Sequence, residues 1–500
     1  MTKIVTLLLV LVFLTSLVTL PQVTVKAVSR SFIVPDDYPT IAAAIGNATH
    51  GDTIFVKNGT YEEHSLVINK TLTLIGENIS TTIIKNIDEH AWVEWLGGYQ
   101  MPFGITTAVQ INASNVKISG FTITDASVGI DVEGNLTQLV GNVIKGLDDA
   151  GGGISTIGII ACGYGTQIIG NIIEGASTGI SVSGSYQTIA QNTLQGGSSC
   201  IYSSGQYNAI MSNIISDAHS GISVNSNSNV VCNNTVTSQT EGIAIIGSGN
   251  ILLGNNASYN RVVGIKIQPH WDKSSDYKGD NIICKNWIMN NRDGLAINSG
   301  QNNTVYANNV SGNQIGIRVI WDQSGYAYEG GIKYFEPDRN LWQTSYNNTF
   351  YNNNFVGNGQ GAADWSWQGT NMWDNGREGN YWSDHGGTDA DRDGIGDTSY
   401  VVNKPYRIYD SFGDGDSRLY YPNMVNTNEV FDRYPLMAPF DIDSVSVELP
   451  EWANVSEVEL PDFDLAEPEP FPTTLVAAVS TVPIATVGAG LLVYFKKRKR

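Results

Sequence analysis

Asn171-Ile-Ile-Glu-Gly-Ala-Ser-Thr-Gly-Ile-Ser-Val-Ser-Gly-Ser-Tyr-Gln-Thr-Ile-Ala-Gln191 is followed at once by Asn192-Thr-Leu, and the pattern starts again. It returns as Asn213-Ile-Ile, Asn234-Thr-Val and Asn255-Asn-Ala. With Asn142-Val-Ile, Asn286-Trp-Ile and Asn308-Asn-Val included, the steps are 29, 21, 21, 21, 21, 31 and 22 residues. A fixed period of this length marks a stacked repeat. A parallel marker runs Gly129-Ile, Gly158-Ile, Gly179-Ile, Cys200-Ile, Gly221-Ile, Gly242-Ile, Gly264-Ile, Gly294-Leu and Gly316-Ile. The first and third residues after the marker are mostly apolar, as in Ile180 and Val182, so this run is a strand with one buried face. Each unit holds three such runs, broken by Gly, Ser and Asn. One unit cannot bury its own apolar face, but stacked units can. Three short strands per turn, stacked about 4.8 Å apart, make an all-β fold, a single-stranded parallel β-helix. The asparagines are read as architectural, bonding coil to coil through their amides at a corner where Asn tolerates a left-handed turn.

Working outward, residues 31–103 read as an N-terminal cap with the first coils, and 104–356 as the repeat. Thr40 and the apolar Ile41, Ala44 and Ile45 predict a short helix; Thr53–Val56, Leu66–Ile68 and Leu72–Ile75 predict strands. Residues 357–440 form a Trp/Asp/Gly-rich C-terminal segment. Residues 441–474, acidic and Pro-spotted, read as a solvated stalk. Residues 1–27 read as a secretory signal peptide. Residues 475–495 carry no charge for 21 residues, long enough for one transmembrane helix, and the basic tail 496–500 places the C-terminus in the cytoplasm. The body is therefore expected on the extracellular side of a membrane. Twelve Asn-x-Ser/Thr sequons agree with exposure. A net charge of −20 argues against a nucleic-acid partner. Cys232 and Cys284 share a column read as inward; two repeats apart, about 10 Å, they are too far for a disulfide and read as buried thiols.

Chemistry is sought where the repeat breaks. One excursion holds His270 and Trp271; a longer one runs from Ile320 to Tyr346 and holds Trp321, Tyr326 and Tyr328; a third spans Ile87–Phe103. The first two leave from the same point, the end of the Gly-Ile strand. The outward column beneath them contains Lys266 and Arg318, two coils or about 10 Å apart. A cationic pair in a groove suits an acidic sugar, by binding its carboxylate or abstracting a proton. The competing reading pairs Lys266 with Glu241 or Asp293 as a surface ion pair. No aspartate cluster on this face supports paired-carboxylate hydrolysis. Asp389, Asp391, Asp393, Asp397 and the Ile395 carbonyl have the spacing of a calcium loop, with Gly394 at the turn; Tyr400 stands where a bidentate glutamate would, so Asp384, Asp414 or Asp416 must complete it. The calcium is expected to be structural. Six tryptophans (Trp321, Trp342, Trp365, Trp367, Trp373 and Trp382) serve either as sugar platforms or as the cap closing the stack.

Val34-Pro-Asp-Asp-Tyr-Pro-Thr-Ile41, Gly51-Asp-Thr-Ile-Phe-Val56, Asn58-Gly-Thr-Tyr61 and Leu74-Ile-Gly76 resemble the start of pectin-lyase-like right-handed β-helix proteins. The repeats resemble the carbohydrate-binding and sugar-hydrolase domain of the NosD type. Gly379-Asn-Tyr-Trp-Ser-Asp384, Asp389 to Asp397 and Asp432-Arg-Tyr-Pro-Leu-Met437 are similar to a run of archaeal surface proteins. The resemblance covers roughly residues 31–440 and implies right-handed winding. It implies function weakly, because the superfamily hosts lyases, hydrolases, adhesins and a copper-site maturation factor. Scattered His, Met and buried Cys make a copper role unexpected here. The leading expectation is glycan or surface-polysaccharide binding. A polysaccharide lyase using Lys266 or Arg318, and a structural envelope or adhesion protein, are the alternatives.

Overall fold

The computed structural model describes residues 29–95, 99–149, 154–268, 279–320, 326–329, 332–335, 345–364, 366, 370–403 and 429–453. The chain divides into Met1–Pro461 and Asp462–Arg500, and all described residues belong to the first unit. The expected signal segment, membrane span and basic tail lie outside them, as do His270, Trp271, Trp321, Asp414 and Asp416. Among the described residues no helix is long and apolar enough to cross a membrane.

Three long parallel sheets carry the architecture, each taking one strand from successive coils. In the first sheet, Ile118, Leu139, Ile168, Ile189, Ile210, Val231, Leu252, Ile283, Val305 and Phe350 follow one another in register. All are fully buried. In the third sheet the residue after the Gly marker does the same, from Ile130 through Ile180 and Ile265 to Ile317. This is the parallel β-helix that the period demands. Glycine suits the marker, since a Cβ at Gly179 would fall 2.5 Å from the carbonyl oxygen of Cys200, the residue that fills the same position in the next coil.

The asparagine ladder bonds as expected. Asn213 accepts from both the backbone N–H and the side-chain amide of Asn192 (both 3.0 Å), and its own amide donates to the Ile189 carbonyl (2.9 Å). The left-handed corner belongs to the preceding residue, however. Gln191, Ser212, Asn233 and Lys285 have φ of 57°, 56°, 55° and 57°, whereas the ladder asparagines are outside that region. Two further ladders mark the other corners. One runs through Asn208, Asn229, Asn250, Asn281, Asn303 and Asn348, the other through Gln239, Asn260, Asn291, Asn313 and Asn358. Buried amides are thereby satisfied at all three corners of the later coils.

Both ends of the stack are closed. Helix Ile41–Asn47, capped by the Thr40 hydroxyl accepting from Ala43 N–H (3.1 Å), lays Ile41, Ala44 and Ile45 over the first coil. At the other end Trp373 stacks on Phe350 (4.2 Å), Trp382 on Phe355 (4.1 Å) and Tyr400 on Trp382 (4.2 Å). Trp373 and Trp382 are therefore cap residues, not sugar platforms. Trp342, Trp365 and Trp367 lie outside the described residues. Asp432 ties this cap together, accepting from Trp382 Nε1 (2.8 Å) and Asn380 N–H (2.7 Å). The two similar runs quoted above, around residues 379–384 and 432–437, thus meet: Gly379 N–H donates to the Tyr434 carbonyl (2.7 Å).

Two sequence readings need correction. The Cys232 column is not inward. Its neighbour Val231 points into the core, so alternation turns Cys232 out. Cys232 is nonetheless buried, in a cluster with Ala209, Val230 and Ala453 that is separate from the main core. What covers it is the start of the expected stalk. Residues 441–453 are not a solvated stalk: Ile442 and Ala453 are buried, and the segment lies along the outer face of the first sheet. All four cysteines are free, with Cys162 exposed.

Candidate functional site

The third sheet places the candidate cations as expected. Its outward column reads Ala244, Lys266, Ala296, Arg318, Ala363 over five consecutive coils. The alanines leave room for long side chains to lie along the sheet. The result is visible at Ala296, which is only 1% exposed although it faces out.

One column away stand the acids. Glu241, Val263, Asp293 and Ile315 are in register. Each cation reaches back one coil to an acid 25 residues earlier: Lys266 Nζ lies 3.2 Å from Glu241 Oε1, and Arg318 lies 2.7 Å from Asp293 Oδ2. The same pair is built twice, two coils apart. Sequence reasoning offered Asp293 as a partner for Lys266; the structure gives it to Arg318 and adds Arg292 at 3.3 Å, which that reasoning missed. The 25-residue offset, once columns are known, is the signal that finds it.

The two pairs differ in burial. Glu241 and Lys266 side chains are 29% and 23% exposed, whereas Asp293 is 3% exposed. A carboxylate so buried needs its charge matched, and two guanidiniums do this, leaving that group one positive charge in excess. Arg318 Nε and Asn298 Oδ1 are buried and make no hydrogen bond among the described residues. The two residues sit on adjacent strands, where Ala296 pairs in register with Arg318 and Asn298 with Ile320. The setting is abrupt: no lysine or arginine occurs between Lys145 and Arg261.

Both excursions start here, after Gln268 and after Ile320, as the sequence implied. Within the longer one, Tyr326–Glu329 and Ile332–Phe335 pair as an antiparallel hairpin that includes Tyr326 and Tyr328. The Ile87–Phe103 excursion holds a second hairpin, Ala91–Trp95 with Tyr99–Phe103.

A second candidate is the acidic loop. Carboxylate oxygens of Asp389, Asp391 and Asp393 lie within 4.8 Å of one another. Asp389 accepts from the N–H groups of Asp393 (3.1 Å) and Gly394 (3.0 Å), and Gly394 has φ 89°. Asp397 does not join them; it accepts from Thr388 Oγ1 (3.1 Å) and Ala390 N–H (2.9 Å). Asp384 accepts from the Tyr400 hydroxyl (3.2 Å). The loop is sewn to the cap through Gly396 N–H to the Pro435 carbonyl (2.8 Å) and Met437 N–H to the Gly394 carbonyl (3.0 Å).

A family model described as periplasmic copper-binding protein (NosD) matches residues 45–275 and 212–387. No curated protein matches the chain. Solved structures that resemble it include a PL6 alginate lyase in complex with a trisaccharide (15% identity, 67% of this chain and 80% of that one, TM-score 0.48). The Dettilon tailspike protein is another (15%, 66% and 68%, 0.45), and the catalytic domain of a GH87 α-1,3-glucanase a third (14%, 71% and 69%, 0.44). Likenesses at this level carry no functional argument. The buried cysteines give the copper in the family description no converging donor set. Copper sites want converging thiolate, thioether or imidazole groups. Burial pushes the Cys200 thiol up to about 12 and those of Cys232 and Cys284 up to about 11, and Cys232 and Cys200 belong to separate clusters. The acidic loop offers only hard carboxylate oxygens, which suit calcium or magnesium. The matched residues run from the N-terminal cap to the C-terminal one, and on that extent the chain belongs to the NosD family.

Proposed function

We propose that this protein binds an acidic glycan or surface polysaccharide along the outer face of its third sheet. The observation that carries the proposal is the twice-built acid–base pair, with the uncommitted Arg318 Nε and Asn298 Oδ1 beside it. A uronate-type sugar offers what this pattern lacks: a carboxylate for the guanidinium and hydroxyl groups for the amide oxygen. Lys266 and Arg318 are both engaged with carboxylates, which suits binding better than proton abstraction, so the lyase reading comes second. In this proposal the body is secreted and displayed outside the cell, held by the apolar segment 475–495, and a calcium ion at Asp389, Asp391 and Asp393 stiffens the loop that joins the cap. A third reading, a purely structural envelope protein, needs no glycan at all.

A glycan array on the full ectodomain separates the readings. Binding to acidic glycans that falls about tenfold or more in Lys266→Ala and Arg318→Ala supports the proposal. Unchanged binding in both variants sinks it and the lyase together. Unsaturated sugar products, detected by ultraviolet absorbance, would make the protein a lyase instead. The calcium is tested apart: a chelator should lower the melting temperature, and an unchanged melting temperature removes the ion.

A further inference from the structure

One of the two outward columns of the first sheet changes chemistry part-way along. The column of Val140, Ile169, Ala190, Met211, Cys232 and Leu253 is apolar on both sides of the change, but the leading column reads Lys117, Gln138, Gln167 and Thr188, then Ala209, Val230, Ile251 and Ile282, then Thr304 and Thr349. A sheet face open to water has no reason to lose its polar residues for four strands and then regain them. The apolar interval lies where the chain doubles back. Phe440 and Asn354 exchange two hydrogen bonds (2.7 and 2.9 Å), Lys285 Nζ donates to the Val445 carbonyl (3.0 Å), and Ala453 packs on Ala209 and Val230. Trp452 meets Tyr207 and Tyr186 edge-on at 5.8 and 6.3 Å. The segment therefore runs backward over the coils, from the strand of Asn354 to that of Ala209.

Its attachment differs from everything beneath it. The coils are closed by ladders of backbone and amide hydrogen bonds around a continuous core. The returning segment pairs with no strand; it makes two short 3₁₀ turns, Ile442–Ser444 and Glu451–Ala453, and rests on apolar contacts and a few side-chain bonds. Elements with few buried contacts and few backbone bonds open below the global free energy.

We infer that residues 440–453 are a latch, seated on a strip of sheet made apolar for them and opening independently of the coils. Closed, the latch itself lies against the flank of the stack. Open, it uncovers the strip from Ala209 to Ile282. The seat is part of the β-helix proper, so the inference does not depend on the glycan proposal.

Two cysteines report on it. Cys232 lies under the latch and Cys200 in the main core, and burial raises both thiols far above neutral, so alkylation needs opening. In the native full-length chain, iodoacetamide labelling read by peptide mass spectrometry should modify Cys232 about tenfold or more faster than Cys200. Trp452→Ala should speed Cys232 by a further factor of about ten and leave Cys200 unchanged. Equal labelling of the two cysteines in the wild-type chain overturns the inference. Where Trp452→Ala frees both thiols together, Val230→Thr decides: selective exposure of Cys232 supports the latch, and joint or absent exposure overturns it.

Discussion

The outer faces of the first and third sheets begin alike and end differently. Through the early and middle coils the leading column of the first and the outward column of the third are mostly uncharged, with Gln167 and Thr188 in one and Ser181 and Ser223 in the other. From Ala209 the leading column of the first face turns apolar as well, and from Glu241 the third face turns charged. Underneath, the inward columns hardly change. The difference shows where selection for something besides folding is free to act. Inward positions are held by packing and corners by hydrogen bonding, so outward columns are the variable part of the coil. One of them became a seat for the chain's own tail and the other a row of ion pairs.

The comparison can be broken at several levels. Asn213→Ala attacks what both faces share. It strips the Asn192 amide and backbone N–H of their acceptor and the Ile189 carbonyl of a donor, all buried. A loss of about 2–5 kcal/mol is expected in denaturant unfolding, with both faces lost together. Arg318→Ala attacks the charged face alone. It leaves Asp293 with only Arg292, and about 1–3 kcal/mol should be lost, because an incompletely matched carboxylate stays buried. Cys232 labelling should be unaffected.

The C-terminal cap has its own pH signature, which tells it apart from either face. Burial pushes the Asp432 carboxyl up to about 6, against its ordinary 3.8. A raised acid binds its proton more tightly when folded, so its stabilising effect is complete below about pH 4 and is lost as pH rises through about 6. Melting temperature should fall across that window, and Asp432→Asn should flatten the slope. Lys266→Ala is the gentlest test. Its pair with Glu241 is part-exposed, so stability should change by about 1 kcal/mol or less while glycan binding drops. A large stability loss in that variant would make the two ion pairs equivalent and remove the contrast between them.

Much of this molecule was legible in one dimension. The period, the Gly-Ile strands, the cap helix at Ile41 and the points where the excursions leave all follow from local rules of alternation and turn chemistry. They repeat, so each coil corroborates the next. The placement of Lys266 and Arg318 in one outward column was also legible, since register in a stack is counting. Less so was which acid each cation takes: Glu241 and Asp293 were visible, but the reach of Lys266 and Arg318 back across one coil depends on side-chain direction and on the alanines between them in the same column. The Cys232 column was misread because an apolar outward column, read as sequence, is indistinguishable from an inward one.

The sequence by itself therefore determined the coil, its period and the columns, because these depend on residues near one another in the chain or one repeat away. The tertiary structure alone decided what covers the columns. Asp432 reaching Trp382, Val445 meeting Lys285 and Trp452 meeting Tyr207 join residues 50, 160 and 245 positions apart. No period links such residues. They meet because the chain, after its last coil, turns back over the surface that the coils had built.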